Sequence, residues 1–407
     1  CTFRRYIMST LKVDAIRHNS ATSDAITTAA DGTCTAKLTS VNGGQLSHRN
    51  KVINGGMLIN QRASSYTSTG GEYTLDRFNH ASGSAFTFDT TTTQDSSTPD
   101  GFSKSLKITP DSTQTPTGSH NGTIRQVFEG QDFQDLSFGT SSAKSVTVSF
   151  YAKSSSQNNN HQYGVQLRCR SGVITQYVSQ AFTVTSSWQR FTMTFVGNTV
   201  VAIRNDTSVG FEICFHLASG PDDIVSAKST WTTSAAFQTV TGQSNFMDNT
   251  SNEFYLTGVQ LEVGDTATSF EHRSFADELR RCSRYCQTWA RGYCIGNAVG
   301  SNDINIGVPL TTPLRATPSA NAVQMHRSGN KNASCTFHSA QYDTNSVVVE
   351  IRMGGWTPPG SDTTETWDGT SWTEVSELNN ARGAGAAAGP QTSNIFAGGG
   401  YPAKNNV

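Results

Sequence analysis

Between Lys51 and about Ser274 apolar side chains recur at every second position. Val146, Val148, Phe150 and Ala152 alternate with Ser and Thr. Phe182 and Val184 repeat the pattern, and Trp188, Arg190, Phe191, Met193 and Phe195 follow a turn at Ser186-Ser187. Phe254, Leu256, Val259 and Leu261 close the run. A period of two is that of a strand with one buried face. Polar turn clusters, such as Ser154 to Asn160 and Ala218 to Asp223, separate the strands. Many short strands of this kind predict an all-β architecture, a jelly-roll-like β-sandwich over residues 48–274.

The periodicity then changes. Phe275, Leu279, Cys282, Cys286, Trp289 and Tyr293 are spaced by three and four, one stripe of a helix predicted over 275–292. Ser274 with Asp277 forms a near capping box, Gly292 marks the stop, and Arg280, Arg281 and Arg284 occupy the opposite, solvated face. So narrow a stripe suits docking on a sheet or a three-fold seam between copies equally well. Alternation returns in Ile304, Ile306, Val308 and Leu310 and in Val347, Val349 and Ile351, a second small β domain over 293–354. Pro309, Pro313 and Pro318 keep its first strand from a central place. Trp356-Thr-Pro-Pro-Gly-Ser begins a linker and a Gly/Ala-rich tail over 355–407. At the other end, residues 9–47 carry Leu11, Val13 and Ile16 and then a polar, turn-rich stretch, too little to bury a core alone.

Composition narrows the function classes. The 407 residues are 35% hydrophobic and only 15% charged, with a formal net charge of -1, so nothing favours nucleic acid or an anionic membrane as partner. Ser, Thr, Asn, Gln and Gly supply the polar surface instead, which suits strands and tight turns. No stretch is apolar for long enough to span a bilayer, so no membrane insertion is expected. The chain opens on Cys1, and Met8 begins MSTLKVDAI; residues 1–8 are expected to reflect upstream translation. The eight cysteines form no CxxC pair and read as buried thiols, with Cys169 on the apolar side of its strand and Cys214 facing the other way from Ile213 and Phe215.

Catalytic signatures are missing. There is no GxSxG, HExxH or P-loop, and Gly383-Ala-Gly385-Ala-Ala-Ala388 meets the dinucleotide fingerprint only formally, since no buried strand precedes it. The acids are scattered, and Glu271-His272 reads as closing the sandwich edge. No enzyme activity and no cofactor are expected.

Several phrases resemble, in combination and in order, a module of phage tail fibres and virion structural proteins. They are Asn54-Gly-Gly-Met-Leu-Ile-Asn-Gln-Arg62, Tyr73-Thr-Leu-Asp-Arg-Phe78, Ser145-Val-Thr-Val-Ser-Phe-Tyr-Ala-Lys-Ser154 and Phe254-Tyr-Leu-Thr-Gly-Val-Gln-Leu-Glu-Val-Gly264, ending in Ala267-Thr-Ser-Phe-Glu-His-Arg-Ser274. The resemblance covers about residues 45–350. It implies a β-sandwich similar to carbohydrate-binding modules, followed by a helix and a small β domain, with a structural calcium possible in the wider class. Residues 9–47 resemble a fibre shaft segment, where three chains intertwine. Thr364-Glu-Thr-Trp-Asp-Gly-Thr-Ser-Trp-Thr-Glu374 with Leu378-Asn-Asn-Ala-Arg382 and Phe396-Ala-Gly-Gly-Gly400 resembles one kelch-type blade. A propeller needs several blades, so the chain is expected to be a fragment of a longer reading frame.

The expectation is a homotrimeric tail appendage of the virion, assembled in the host cytoplasm beside other tail or virion proteins, that adheres to bacterial surface polysaccharide. A purely structural spacer and a capsule depolymerase are the rivals. Aromatic faces hold the C–H side of a pyranose, and the candidates outside obvious alternation are Trp231, Tyr163, Tyr177 and Phe246. Each has a plainer structural reading, and Trp231 reads first as a cap on the core.

Overall fold

A computed structural model describes residues 15–16, 26–28, 30, 34–36 and 47–288 except 64, 84–85, 226–228 and 234–238. Further on it describes 296–298, 303–316, 335–342, 346–353, 361–367, 372–388 and 395–401. The chain divides into two compact units, Cys1–Glu278 and Leu279–Val407.

In the first unit, β1 (Ala15–Ile16), β2 (Ile26–Thr28) and β3 (Cys34–Ala36) form a small antiparallel sheet. The predicted sandwich follows as two larger antiparallel sheets. One has six strands: β4 (Ser65–Ser68), β6 (Thr90–Asp95), β7 (Ser105–Pro110), β9 (Val146–Ser154), β12 (Gln189–Phe195) and β16 (Phe254–Val263), in the order β12-β9-β16-β7-β6-β4. The other has five: β5 (Asn79–Gly83), β8 (Asn121–Glu129), β10 (Gln162–Arg170), β11 (Thr175–Thr183) and β13 (Val209–Ser219), in the order β11-β10-β13-β8-β5. A short parallel pair, β14 (Ile224–Val225) and β15 (Thr239–Val240), follows β13.

The alternation decides which side chains meet. Phe150 pairs with Phe191, Val148 with Met193 and Val146 with Phe195 across β9 and β12, so the apolar parity of both strands points to one layer. In that layer the Phe150 ring lies 5.0 Å from Phe182 and 5.0 Å from Phe215, both edge-on, which joins the two sheets. Truncating so enclosed a ring costs about 3–5 kcal/mol. Strand β16 departs from strict alternation, with a spacing of three from Leu256 to Val259 instead of two. A bulge between Thr257 and Gln260 takes up the extra residue, and Gly258 adopts φ +61° there.

The Asn54-Gly-Gly-Met phrase closes one end of the sandwich. Asn54 has φ +61°, accepts from the Ile59 N–H at 2.9 Å and donates to the carbonyls of Ile59 (2.8 Å) and Asp76 (2.9 Å). A Cβ on Gly55 would stand 2.1 Å from the Val259 carbonyl oxygen, so only glycine lets the loop lie this close to β16. Glu271 accepts from the backbone N–H groups of Arg49 (3.2 Å) and Asn50 (2.9 Å), the edge-closing role expected of it.

The helix is shorter than its apolar stripe predicts. Helix α1 runs Phe275–Ser283, with the Ser274 hydroxyl accepting from the Asp277 N–H at 3.2 Å as the near capping box requires. Cys282 is buried, but Phe275 is 60% exposed. After Ser283 the backbone is taken by another segment: the Arg284 carbonyl accepts from Arg315 at 2.9 Å, and the Gln287 side chain bonds Thr311 and Thr312. These bonds compete with further helical turns. Trp289 and Tyr293 lie outside the described residues.

In the second unit, β17 (Gly296–Ala298), β18 (Asp303–Pro309), β19 (Cys335–Tyr342) and β20 (Ser346–Met353) form an antiparallel sheet in the order β17-β18-β20-β19. Its register sets Ile304 opposite Ile351, Ile306 opposite Val349 and Val308 opposite Val347. The tail, expected to be one kelch-type blade, forms an antiparallel sheet of β21 (Ser361–Trp367), β22 (Trp372–Ala388) and β23 (Ile395–Tyr401), three strands among the described residues where a blade has four. No helix among the described residues is long and apolar enough to cross a membrane.

Candidate functional site

Each sheet of the sandwich has an outer face, and the two differ. On the five-stranded sheet the outward parity carries Arg125, Cys214 and Gln166 in one cross-strand row and Val127, Glu212 and Arg168 in the next. Glu212, 1% exposed, is approached by Arg125 at 3.4 Å, by Arg168 at 3.8 Å and by the Arg170 Nε. His216 is fully buried on the same face, and burial, aided by the Arg168 charge, holds it well below the usual imidazole range. The segment after β13 crosses over these groups. Thr232 exchanges both backbone hydrogen bonds with Tyr177, and the Gln243 amide donates to the His216 carbonyl at 2.8 Å. Thr239 stands against Gly164, where a Cβ would be 2.9 Å from its hydroxyl. This face is covered.

The outer side of the six-stranded sheet is covered over Thr147, Ser149, Thr257, Gln260 and Glu262, which are buried, but Tyr151, Lys153 and Trp188 are half-buried there and Arg190 is exposed. Its register aligns Lys153, Tyr255, Lys107 and Thr93 in one row and Arg190, Tyr151 and Thr257 in the next. Trp188, one residue before β12, adds to the first row, its ring centroid 6.1 Å from that of Tyr255. The Lys153 ammonium lies 4.4 Å from the Tyr255 ring centre and 5.6 Å from that of Trp188, a cation held against two aromatic rings. Lys107 pairs with Glu253 at 2.6 Å, and the Tyr255 hydroxyl donates to Glu253 at 2.9 Å. Burial opposes both charges of that pair, yet their mutual hydrogen bond and those to Tyr255 outweigh it. The Lys107 pKa is accordingly raised and that of Glu253 lowered.

The bulge of β16 extends this surface. Phe102 packs directly on Gly258, where a Cβ would come within 2.7 Å of the Phe102 ring and 2.9 Å of the Tyr151 ring. The Phe102 centroid lies 5.3 Å from Tyr151, 5.0 Å from Phe270 and 5.3 Å from His272, with Phe270 and His272 4.9 Å apart. Phe102, Phe270 and His272 line a cavity of about 320 Å³ with Leu58, and Arg273 and Glu278 add charge to its wall. Arg273 is fixed by donating to the carbonyls of Val52 (3.0 Å) and Asn50 and by ion pairs to Glu271 (3.4 Å) and Glu278 (3.5 Å). Ring faces beside hydroxyls and fixed charges match the two sides of a pyranose, its C–H surface and its rim of oxygens.

The sequence-predicted aromatics lie elsewhere. Tyr163 and Phe246 are fully buried and belong to the core; the Tyr163 ring meets Phe254 at 5.6 Å and Phe246 at 6.4 Å, and burial pushes its phenol above the ordinary range. Neither presents a ring face to solvent. Trp231 is half-buried, donates from Nε1 to the Val196 carbonyl at 2.8 Å and meets Phe138 edge-on at 5.6 Å, the core cap that was its alternative reading. Tyr177 sits on the covered face under the Arg168 guanidinium, 5.7 Å from its ring centre. None of the four joins the open aromatic surface. Tyr151, half-buried on that surface, and the buried Tyr255 beside it stand at the polar parity of strands whose other parity is core, and an aromatic out of phase with its strand is the signal the sequence offers. Among the described residues no three His, Cys, Asp or Glu side chains converge to hold a metal, so the calcium implied by the resemblance finds no such cluster here.

The fold is thus a β-sandwich with one covered and one partly open sheet face. No protein-family model and no curated protein matches the chain. Among solved structures it is similar to the enzymatically active domain of tailspike protein 4 of bacteriophage CBA120, at 13% identity over 53% of this chain and 21% of that one, with a TM-score of 0.27. It is similar also to the family 11 carbohydrate-binding module from Clostridium thermocellum in complex with a mixed-linked tetrasaccharide, at 15% identity over 52% of this chain and all (100%) of that one, TM-score 0.26. A third is the xylan-binding domain from Paenibacillus barcinonensis, at 12% identity over 50% and 94%, TM-score 0.26. The chain spans about a fifth (21%) of the length of the tailspike domain it matches. At these identities and scores no residue role passes from those proteins to this chain.

Proposed function

We propose that this chain is an adhesin of a phage tail fibre or related virion appendage, which binds bacterial surface glycan through the outer face of its six-stranded sheet. One observation carries the reading: Tyr151 and Phe102 stand half-buried on the outer side of a sheet whose other side is the core, beside the buried Tyr255, and they lead into the ring-lined cavity of Phe270 and His272. Half-buried rings in such positions lie outside the main core and expose apolar area, a cost that ligand contact offsets. The phrases resembling tail-fibre modules support the virion setting. In a homotrimer, three copies of one weak site would share effective concentration, so modest affinity per site suffices for attachment.

The test is retention of the purified protein on host cells and on their extracted polysaccharide, beside its mass in solution. The expected result is a trimer whose retention drops roughly tenfold on Tyr151→Ala or Phe102→Ala, about one to two kcal/mol per lost ring contact, while Tyr177→Phe has no effect. Undiminished retention in both ring variants would refute this face as the site. Absence of retention in the unaltered protein would favour the spacer role, and release of reducing ends would favour a depolymerase.

A further inference from the structure

Resting on that reading, we propose that the glycan taken by this face is anionic, its carboxylate or phosphate received between Lys153 and Arg190. The acids of the face are already engaged. Glu253 is held by Lys107 and Tyr255. Glu262 is 3% exposed and accepts from the Thr268 N–H (2.8 Å), the Thr268 hydroxyl (2.7 Å) and the Gln260 amide (3.0 Å). The outward cations are not matched in the same way. Among the described residues Lys153 lies against two rings and feels the Glu253 charge from beyond the ion-pair distance that Lys107 makes with it, and Arg190 donates to the neutral Ser149 hydroxyl (3.3 Å) and the Thr268 carbonyl. Lys107, Lys153 and Arg190 thus stand on this face against Glu253 and Glu262, an excess of positive charge.

The placement of Lys153 and Arg190 is that of a receiving pair. Arg190 lies opposite Tyr151, and Lys153 is two residues along the same strand. The two cations are thus diagonal neighbours on adjacent strands, roughly 7–8 Å apart at the backbone, within reach of one small anion by their long side chains. The Lys153 ammonium is also held in place before any ligand arrives, against the Trp188 and Tyr255 rings, so less conformational freedom is lost on binding. A neutral sugar stacking on Tyr255 would have to displace that ammonium from the ring. An anionic sugar leaves it in place, its charge on Lys153 and Arg190 and its ring against Tyr151 and Phe102.

The test uses the full chain and a panel of purified bacterial capsular polysaccharides. Each is offered in native form, after carboxyl reduction of its uronates, and after removal of phosphodiesters with hydrogen fluoride. Expected is retention by acidic polymers only, weakening as salt rises and lost after whichever treatment removes that polymer's charge, which distinguishes carboxylate from phosphate. Lys153→Gln and Arg190→Gln should each lower affinity about five- to tenfold at low salt, with Lys153→Arg restoring most of it. Equal retention of neutral or charge-stripped polymers, or glutamine variants with unaltered affinity and salt dependence, would overturn the inference while leaving the glycan reading intact. If the unaltered protein retains no polymer at all, the glycan reading itself falls.

Discussion

Glu212 lies on the outward parity of β13, yet it is 1% exposed and three arginines reach it from β8 and β10. A carboxylate so far from water persists only because the guanidinium charges replace its hydration, and the dependence is mutual. Arg168 is the most enclosed of the three, its side chain 11% exposed, with its neighbours Cys214 and Glu212 on the same face. Replacing Glu212 by Gln keeps the shape and removes the charge, leaving the largely buried Arg168 guanidinium without its counter-ion. The expected cost is about 3–5 kcal/mol of unfolding free energy, read from urea denaturation. Arg125→Gln removes only one of three partners from a position 28% exposed, and about 1 kcal/mol is expected there. Comparable losses in the two variants would mean that the acid is not the hub of the cluster.

At the scale of elements, the bulge in β16 links fold and site. Gly258 takes φ +61°, and its missing side chain is the space into which Phe102 and Tyr151 fit. Gly258→Ala meets both obstacles, a left-handed backbone that costs an L-residue about 1–2 kcal/mol and a ring that must move. The expected outcome is a lower thermal midpoint together with weakened glycan retention, whereas Gly71→Ala, at a φ of +100° with no atom near its Cβ, should destabilise without touching retention. Equal effects on retention would show that the Phe102 position does not matter. The strands themselves were legible, because a period of two survives any choice of partner: β9, β12 and β16 fall where Val146 to Ala152, Phe191 to Phe195 and Phe254 to Leu261 alternate. The site was not legible for a related reason. Alternation marks the buried parity, so Tyr151 and Tyr255 look like spacers between core residues. Tyr163 and Phe246, by contrast, stand out only because their partners come from distant strands. Helix α1 was over-read because the stripe continues past Ser283, while the bonds that end it come from residues 311–315, which no local pattern announces.

For the whole molecule, two sheets closed over one core place several ionisable groups where water cannot reach, and acid should reveal them. His80 stacks on Phe88 at 4.7 Å and bonds Thr90 at 3.0 Å; burial depresses its pKa to about 3, only partly offset by Glu72. His216 is depressed as well. Both stay neutral in the fold while the unfolded chain takes up their protons below about pH 6.5, so their contribution is present above that pH and is lost as pH falls towards 3, by up to ~1.4 kcal/mol per unit for each. Asp223 works in the opposite direction. Burial raises its carboxyl to about 6, against the Asn121 hydrogen bond at 3.2 Å and the Arg168 charge and with the help of Asp222. The fold therefore binds this proton before the unfolded chain does, and the stability it gives is full below about pH 4 and lost as pH rises through 6. Asp223→Asn places a neutral group there at every pH and still offers an oxygen to Asn121. Relative to the unaltered protein it should be more stable at pH 7.5, with the advantage shrinking from pH 6 downward and vanishing by pH 4. His80→Gln should instead flatten the acid limb between pH 6.5 and 4. Urea midpoints measured across that range check both, and a pH-independent difference for Asp223→Asn would mean that its carboxyl titrates as it does in water.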